Sequence, residues 1–348
     1  MTARAETAVT IAPLELPFAG PPAVAAARPG GARVLALAAS DTAGRLAGVA
    51  AGRQRRSAAL VRLTAWQAET SCAAALAAAF EQAARAAGAV AIRAGDDMPE
   101  AIAAFALTPT GRGYAQRWLG AALDGDPGIG AFVQTTGFTC GPAALAMALQ
   151  PKVTRGDEIA LWREATTVIG LTGPGGCDPY GLALAAARRA GSVTLYIDTE
   201  EPVLLDRADT AEKRDLMRFV QAGFKAAAQQ AITVVPRALA PQEMQAAVAG
   251  GARVLLLVDQ CHTHDHAAPH WLLLHAVAHL PGGDLFLVND PWCETEDGEI
   301  PADCDSLPLR AATLQAMARY GAPPYQAAIV LKQPTGKVEG AGYFTGYR

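Results

Sequence analysis

The chain has 348 residues, of which 51% are hydrophobic and 18% charged, and its formal net charge is −4. This length suits two domains, and the balanced charge excludes a basic surface for nucleic acid. No run of about 20 apolar residues is present, so no membrane span is expected. The first residues lack the charged start and apolar core of a secretory signal, which predicts a cytoplasmic protein. The six cysteines form no CxxC pair and are expected to be free thiols.

The region 33–107 alternates short predicted strands and helices. Two apolar runs flank the turn sequence 40–44, a pattern typical of a hairpin. A long alanine-rich helix then ends at Gly88, a common C-terminal stop. In chain order we predict strands at 33–39, 45–53 and 58–66, a helix at 71–87, a strand at 89–94 and a helix at 99–107.

A Gly, Asp and Pro-rich segment at 122–130 indicates a linker or surface loop, and a second pattern follows it. The last residues, rich in Gly and Lys, predict a loose tail. We therefore expect a first domain over 1–122, a second over 123–335 and a tail over 336–348. In the second domain we predict helices at 140–149, 157–168, 178–190 and 210–230, and strands at 194–197, 253–259, 271–278, 284–289 and 327–331.

Cys140 lies where a loop turns into a helix, and Pro142 occupies the first turn, where its missing N–H costs nothing. The positive potential at a helix N-terminus stabilises a thiolate, which is the reactive form of cysteine. Gly141 would let a substrate approach closely. A thiolate nucleophile also needs a base, most often histidine, that a third group orients.

All six histidines lie between His262 and His279, so any histidine partner of Cys140 comes from this window. The window contains a predicted hairpin in which His270 begins one strand and Asp290 follows the other. Both side chains are therefore expected at the same rim. His275 stays open as the base, because an ideal two-residue turn would bring it closer to Asp290.

Gln134, followed six residues later by Cys140-Gly-Pro-Ala, and a late His270-Trp with Asp290-Pro, resembles the C39-like cysteine peptidases. The likeness is to the subgroup in which this domain follows an acetyltransferase-like domain. The segments 161–167 and 175–184 resemble the same subgroup, and the whole likeness covers residues 130–335.

This resemblance implies an α+β, papain-like cysteine peptidase domain, in which the helix carrying the cysteine packs on an antiparallel sheet. Cys140 would be the nucleophile, His270 the general base and Asp290 the group that orients the imidazole. The side chain of Gln134 would complete an oxyanion hole with the backbone N–H of Cys140.

The first domain resembles an α/β acetyltransferase of the GNAT class, with 41–52 as the central hairpin and 71–94 as the cofactor-binding unit. Such enzymes hold the acetyl-CoA pyrophosphate on a basic, glycine-rich loop at a helix N-terminus. The corresponding residues 67–72 contain no glycine, and Glu69 would repel phosphate. We expect a degenerate domain that serves as a scaffold or substrate platform and binds no cofactor.

Two further groups of residues are candidates for parts of a site. The sequence 261–266 carries one cysteine and three histidines, and zinc accepts imidazole ligands, but the stretch is typical of a loop and we expect no metal. Cys177, in a glycine-rich loop before a helix, and Trp271 are candidates for the substrate groove beside Gly141.

These features predict a papain-like thiol enzyme that cleaves or transfers an amide or peptide acyl group. Its substrate would be a peptide or an amide-containing small molecule, and a partner enzyme of the same pathway is a further candidate. Hydrolysis and acyl transfer use the same residues and differ in the access of water to the acyl-enzyme. The alternative hypothesis is a binding module in which both domains are retired enzymes.

Overall fold

The computed structural model describes residues 9–13, 32–120, 128–166, 175–264, 266–280 and 283–332. The strands within these residues form two seven-stranded sheets. One sheet consists of the strands before residue 120 and the other of the strands after residue 190. The predicted tail, residues 121–127 of the predicted linker and residues 281–282 of the predicted hairpin turn lie outside the described residues. No helix among the described residues has the length and apolar character needed to cross a membrane.

The first sheet has the strand order β1-β2-β3-β4-β5-β7-β6. Its parallel pair, β4 and β5, is joined by helix α1 (Ala73–Ala86), and α2 (Pro99–Ala104) follows β5. The hairpin, strand, helix, strand and helix predicted here are confirmed. The strands are β1 (Thr10–Pro13), β2 (Arg33–Ser40), β3 (Leu46–Gln54), β4 (Leu60–Ala68), β5 (Ala91–Gly95), β6 (Thr108–Pro109) and β7 (Tyr114–Trp118).

Helix α1 covers one face of this sheet. Leu76, Phe80 and Ala84 recur at intervals of four residues and are buried, so they form one apolar stripe. Phe105 lies edge-on against Phe80 and Trp66, with ring centroids 5.8 Å and 5.1 Å apart. The first sheet therefore has a core of its own.

The second sheet has the order β13-β12-β11-β10-β14-β8-β9 and is antiparallel except for the β8–β9 pair. Its strands are β8 (Ser192–Ile197), β9 (Thr233–Val235), β10 (Arg253–Asp259), β11 (Pro269–Ala278), β12 (Leu285–Asn289), β13 (Leu307–Arg310) and β14 (Ala327–Lys332). The helices of this half are α3 (Cys140–Leu149), α4 (Arg155–Ala165), α5 (Pro179–Ala187), α6 (Ala211–Ala231), α7 (Pro241–Ala249) and α8 (Ala311–Met317).

Helix α3 lies at the centre of the second half. Its residues from Gly141 to Ala148 are all buried, because the helix contacts β11 on one side and α4 and α5 on others. A helix that is apolar on every side is expected in such a position. The predicted α+β arrangement, a cysteine-bearing helix packed on an antiparallel sheet, is confirmed.

The two halves share an interface. The backbone N–H of Ala59 donates to the carbonyl of Pro308 at 2.8 Å, and Ala58 pairs with Leu309. Ala58 and Leu60 also belong to a buried apolar cluster that includes residues of β10, β11 and β12. The amino-terminal sheet is therefore docked against the second sheet, on the side of β13.

Candidate active site

Cys140 is the first residue of α3 and is half-buried. The loop before it is held by Glu158 of α4, which is fully buried. The Glu158 carboxylate accepts hydrogen bonds from the backbone N–H of Thr135 at 2.8 Å, from the Thr135 hydroxyl at 2.6 Å and from the Thr139 hydroxyl. Because the Thr139 hydroxyl is bound by Glu158, it does not cap α3. The backbone N–H groups in the first turn of the helix, beside Cys140, therefore receive no hydrogen bond from this side chain.

The structure brings Cys140, His270 and Asp290 together. His270 is the second residue of β11 and Asp290 directly follows β12. The imidazole Nε2 of His270 donates to Asp290 Oδ1 at 2.6 Å, and the same oxygen accepts from the backbone N–H of Trp292 at 2.8 Å. The Cys140 thiol is close enough to the same imidazole to raise its pKa, and Nδ1 is the ring nitrogen left to face the sulfur.

Charges around His270 favour its protonated form. Burial lowers the pKa of His270, but the negative charge and hydrogen bond of Asp290 and the contact with Cys140 outweigh burial and raise that pKa to about 10. Burial raises the pKa of Asp290, whereas the positive charges of Arg55 and His270 lower it below its usual range. The site therefore favours an imidazolium between a carboxylate and the sulfur of Cys140.

Gln134 is tied to the same strand end as Asp290. Its backbone N–H donates to the carbonyl of Pro291 at 2.7 Å. Its side-chain Nε2 donates to the carbonyl of Thr136 at 2.6 Å, which uses one of the two amide hydrogens. The second hydrogen is left for another acceptor.

Gln134, Cys140 and His270 line one cleft with a volume of about 390 Å³. The cleft also has the apolar side chains of Phe138, Leu204, Met217 and Trp292 and the cations Arg207 and Lys213 on its walls. A larger cavity of about 530 Å³, beside the amino-terminal sheet, is lined by no cysteine or histidine. The smaller cleft is therefore the candidate active site.

Gly141, Cys177 and Trp271, predicted to line the groove, lie behind it in the core. Trp271 is 2% exposed, and an added Cβ on Gly141 would lie 3.1 Å from Trp271, so the glycine lets α3 approach β11 closely. Cys177 is buried and its backbone pairs with Thr166. Burial raises the pKa of the Cys177 thiol well above its usual range, which keeps it protonated.

His275, the alternative base, lies away from the cleft. The pairing of β11 with β12 shifts between Leu274 and Ala276, so His275 is the extra residue of a bulge. Its Nε2 lies 3.1 Å from Asn289 Oδ1. The bulge thus separates His275 from Asp290 and helps to align His270 with it.

Two histidines of the 261–266 sequence lie side by side, since the rings of His264 and His266 stack with their centroids 6.1 Å apart. His264 is buried and lies 3.2 Å from a guanidinium nitrogen of Arg55, whereas His266 contacts Gln260 and lines the cleft. His262 ends a short 3-10 helix. No three possible metal ligands of this sequence lie together among the described residues, so we assign no metal to it.

One set of potential metal ligands occurs in the described part of the chain, namely Cys293, Glu299 and Cys304, whose ligand atoms lie within 4.8 Å of one another. Glu299 is already paired with Arg53 at 3.3 Å and with Arg55 at 3.4 Å. A cation would have to displace these arginines, so we assign no metal to this set.

Three residues of the site have no counterpart in the sequence analysis: Arg55, Glu158 and Trp292. Trp292 lies two residues after Asp290, so proximity in sequence was a usable signal. Glu158 and Arg55 carried no such signal, because each meets its partners only in the folded chain.

A family described as the Peptidase_C39 like family matches residues 130–332. No curated protein matches the chain.

Among solved structures, the chain is similar to a putative C39-like peptidase from Bacillus anthracis, with 13% identity and a TM-score of 0.30 over 59% of this chain and 96% of that chain. It is also similar to a GNAT-family acetyltransferase from Staphylococcus aureus Mu50, with 11% identity and a TM-score of 0.21 over 25% of this chain and 68% of that one. A tandem GNAT protein from the clavulanic acid biosynthesis pathway has 12% identity and a TM-score of 0.25 over 81% of this chain and 74% of that one. Because the family match spans more than half of its length, the chain belongs to the Peptidase_C39 like family.

Proposed function

We propose that the chain is a thiol enzyme that cleaves or transfers the acyl group of an amide or peptide. One arrangement carries this proposal. Cys140, at the start of a buried helix, lies beside an imidazole whose Nε2 is 2.6 Å from a buried carboxylate, and Cys140 and the imidazole line one cleft. A thiolate paired with an oriented imidazolium is the form in which cysteine acts as a nucleophile.

In the proposed reaction the Cys140 sulfur attacks the amide carbonyl carbon, and the carbonyl oxygen becomes an oxyanion. The backbone N–H of Cys140 and the second amide hydrogen of Gln134 donate to it. His270 transfers its Nδ1 proton to the nitrogen as the carbon–nitrogen bond breaks, and the amine leaves. The acyl group remains on sulfur as a thioester.

The second half-reaction regenerates the thiolate. His270, now neutral, takes a proton from the incoming nucleophile, which attacks the thioester carbonyl and expels the Cys140 sulfur. With water the product is an acid, and with an amine or thiol it is a new acyl derivative. Both outcomes use the same residues, so we propose the reaction class and leave the acceptor to be measured.

We propose that the amino-terminal domain binds no acetyl-CoA and serves as a scaffold. At the junction of β4 and α1, where that cofactor would place its pyrophosphate, Glu69 forms an ion pair with Arg45 at 2.6 Å. The Cys72 thiol nearby is buried and donates a hydrogen bond to the carbonyl of Ala47. A carboxylate already paired with the nearby arginine supports the absence of a phosphate cradle.

The test is intact-mass labelling with limiting iodoacetamide between about pH 5 and about pH 9, where a thiolate paired with imidazolium outpaces an ordinary thiol at the acid end. We expect one fast label that Cys140→Ala removes and His270→Ala slows. Cys261→Ala is the control, because Cys261 is also half-buried, but burial and the neighbouring Asp259 raise the pKa of its thiol. The fast label should survive in that variant.

Uniformly slow labelling in the wild type would contradict the proposal and support the retired binding module. A fast label that survives Cys140→Ala would mean that another thiol is the reactive one. Confirmation would justify a screen of amide and peptide substrates, with release of acid or of a new acyl product distinguishing hydrolysis from transfer.

A further inference from the structure

We infer that Arg55 of the amino-terminal domain is a positioning residue of the active site, which holds Asp290 and through it controls the reactivity of Cys140. The inference rests on the proposed function. It assigns to the degenerate domain a direct part in the chemistry of the other domain, beyond that of a general scaffold.

Arg55 directly follows β3 of the first sheet and is 4% exposed. Its Nη2 lies 2.7 Å from Asp290 Oδ2, while His270 occupies Oδ1 at 2.6 Å. The two oxygens of one carboxylate are thus held by groups from different domains. Because both are fixed, the plane of the carboxylate is fixed, and with it the direction in which the imidazole of His270 is held.

The guanidinium of Arg55 is itself held on several sides. Its Nη1 donates to the carbonyl of Asp303 at 3.2 Å, its Nε is paired with Glu299 at 3.4 Å and its Nη2 lies 3.2 Å from His264 Nε2. A planar guanidinium can satisfy these directions at once, whereas the point charge of lysine cannot. The surroundings therefore select arginine and fix its orientation toward Asp290.

Docking of the two domains sets the position of Arg55. The Nε of Arg62 lies 2.7 Å and 2.8 Å from the two carboxylate oxygens of Asp303, and Arg93 Nη1 donates to the carbonyl of Asp305 at 2.9 Å. These buried contacts come from the same sheet as Arg55 but make no contact with Asp290. The contacts of Arg62 and Arg93 provide an internal control, because a variant that loses one of them disturbs domain docking without removing a partner of Asp290.

Arg55 also has an electrostatic effect. Burial by itself raises the pKa of Asp290, and the positive charge of Arg55 is the largest influence that lowers it. Without Arg55 the pKa of Asp290 would rise, so at acid pH less carboxylate would be present to sustain the imidazolium of His270. The charged or titratable groups that face Asp290 and Arg55 are His270, His264, Glu299, Asp303 and Cys304.

The test uses the full chain with Arg55→Gln, Arg55→Lys and the matched control Arg62→Gln, each checked for native circular dichroism and thermal unfolding. The measured quantity is the rate of iodoacetamide labelling of Cys140 from about pH 5 to about pH 9. Loss of a cation next to a buried carboxylate is expected to slow labelling about tenfold near pH 6 in Arg55→Gln and to shift the acid limb upward. Arg55→Lys should restore part of the rate, and Arg62→Gln should keep the wild-type profile.

Equal profiles for Arg55→Gln and the wild type would overturn the inference. So would an equal loss in Arg55→Gln and Arg62→Gln at every pH, because that result indicates domain docking alone. If Arg55→Gln does not fold, the comparison of Arg55→Lys with Arg62→Gln has the same two outcomes.

If Cys140 of the wild type labels slowly, the proposed function fails independently of Arg55. Titration of the Asp290 carboxyl carbon by NMR then still decides the inference. We expect Asp290 to take up its proton at higher pH in Arg55→Gln than in the wild type, because the cation that lowers its pKa is gone, and an unchanged titration would contradict the inference.

Discussion

Replacement of Asp290 by asparagine removes one charge and keeps the shape of the side chain. Asp290 accepts hydrogen bonds from His270, from the backbone of Trp292 and from Arg55. An asparagine offers one oxygen and one NH₂ group, so a donor would face either the imidazole or the guanidinium. Asp290→Asn should therefore weaken the imidazolium and the reactivity of Cys140 at acid pH.

The size of the effect follows from the geometry. Two unit charges about 4 Å apart in an effective dielectric of about 20 attract by about 4 kcal/mol, enough to change a protonation equilibrium about a thousandfold. An ordinary thiol is only about 0.3% ionised near pH 6, so the loss of thiolate is capped at about 300-fold. A more basic thiolate is also a better nucleophile, with a Brønsted coefficient of about 0.5, and this offsets part of the loss of thiolate. The net result is that labelling should be about 20-fold slower near pH 6.

The assay is the iodoacetamide rate against pH. The wild type and Asp290→Asn should differ most near pH 6 and converge near pH 9, where thiolate forms without help from the imidazole. Asp284→Asn is the control, because Asp284 pairs with the exposed His279 at 2.7 Å at the other end of the same hairpin. That variant should match the wild type at every pH.

If Asp290→Asn left the labelling rate of Cys140 near pH 6 unchanged, the prediction would be wrong, because the charge of Asp290 would then have no influence on the sulfur. A uniform loss at all pH values would point to a disturbed fold, which thermal unfolding of the same samples would reveal.

Three further predictions concern the surroundings of the site. Glu158→Ala leaves three hydrogen-bond donors of the loop before Cys140 without their acceptor. Each donor that stays buried costs roughly 1–3 kcal/mol, so urea unfolding should show a free energy of unfolding lower by about 3–5 kcal/mol, and labelling of Cys140 should slow. Gly181→Ala places a Cβ 2.7 Å from the carbonyl of Ala165 and should cost about 1–3 kcal/mol, whereas Gly223→Ala, with nothing within 4 Å, should be neutral or stabilising by about 0.5–1 kcal/mol. Cys177 should stay unlabelled in the native protein at neutral pH and label only on unfolding, and mass mapping of the labelled peptide checks this.

Local sequence signals predicted much of the fold. The bounds of α3 (Cys140–Leu149) and β10 (Arg253–Asp259) agree with the prediction at both ends, because an apolar run between polar or turn residues fixes both ends of an element. Several elements were not predicted, among them strand β7 and helix α7. In β7 (Tyr114–Trp118) polar residues interrupt the apolar pattern, and α7 (Pro241–Ala249) is a short helix whose proline start was not used.

The position of Cys140 at a helix N-terminus was also readable from the sequence, because a proline in the first turn is a local signal. His270 and Asp290 were candidates because they lie at the open end of a predicted hairpin, and Gln134 was a candidate because of the resemblance to the C39-like motif. Local sequence reasoning could not choose between His270 and His275, since the choice depends on a bulge at His275 that is set by packing.

Propensity, periodicity and helix capping act over a few neighbouring residues, so many of the longer elements and the chemical types at the site could be read from the sequence. Which side chains meet depends on tertiary packing. It placed Trp271 in the core, brought Arg55 to Asp290 across 235 positions and buried Glu158 beneath the cysteine loop. These contacts depend on the docking of two sheets and the packing of α3, which no short stretch of sequence specifies.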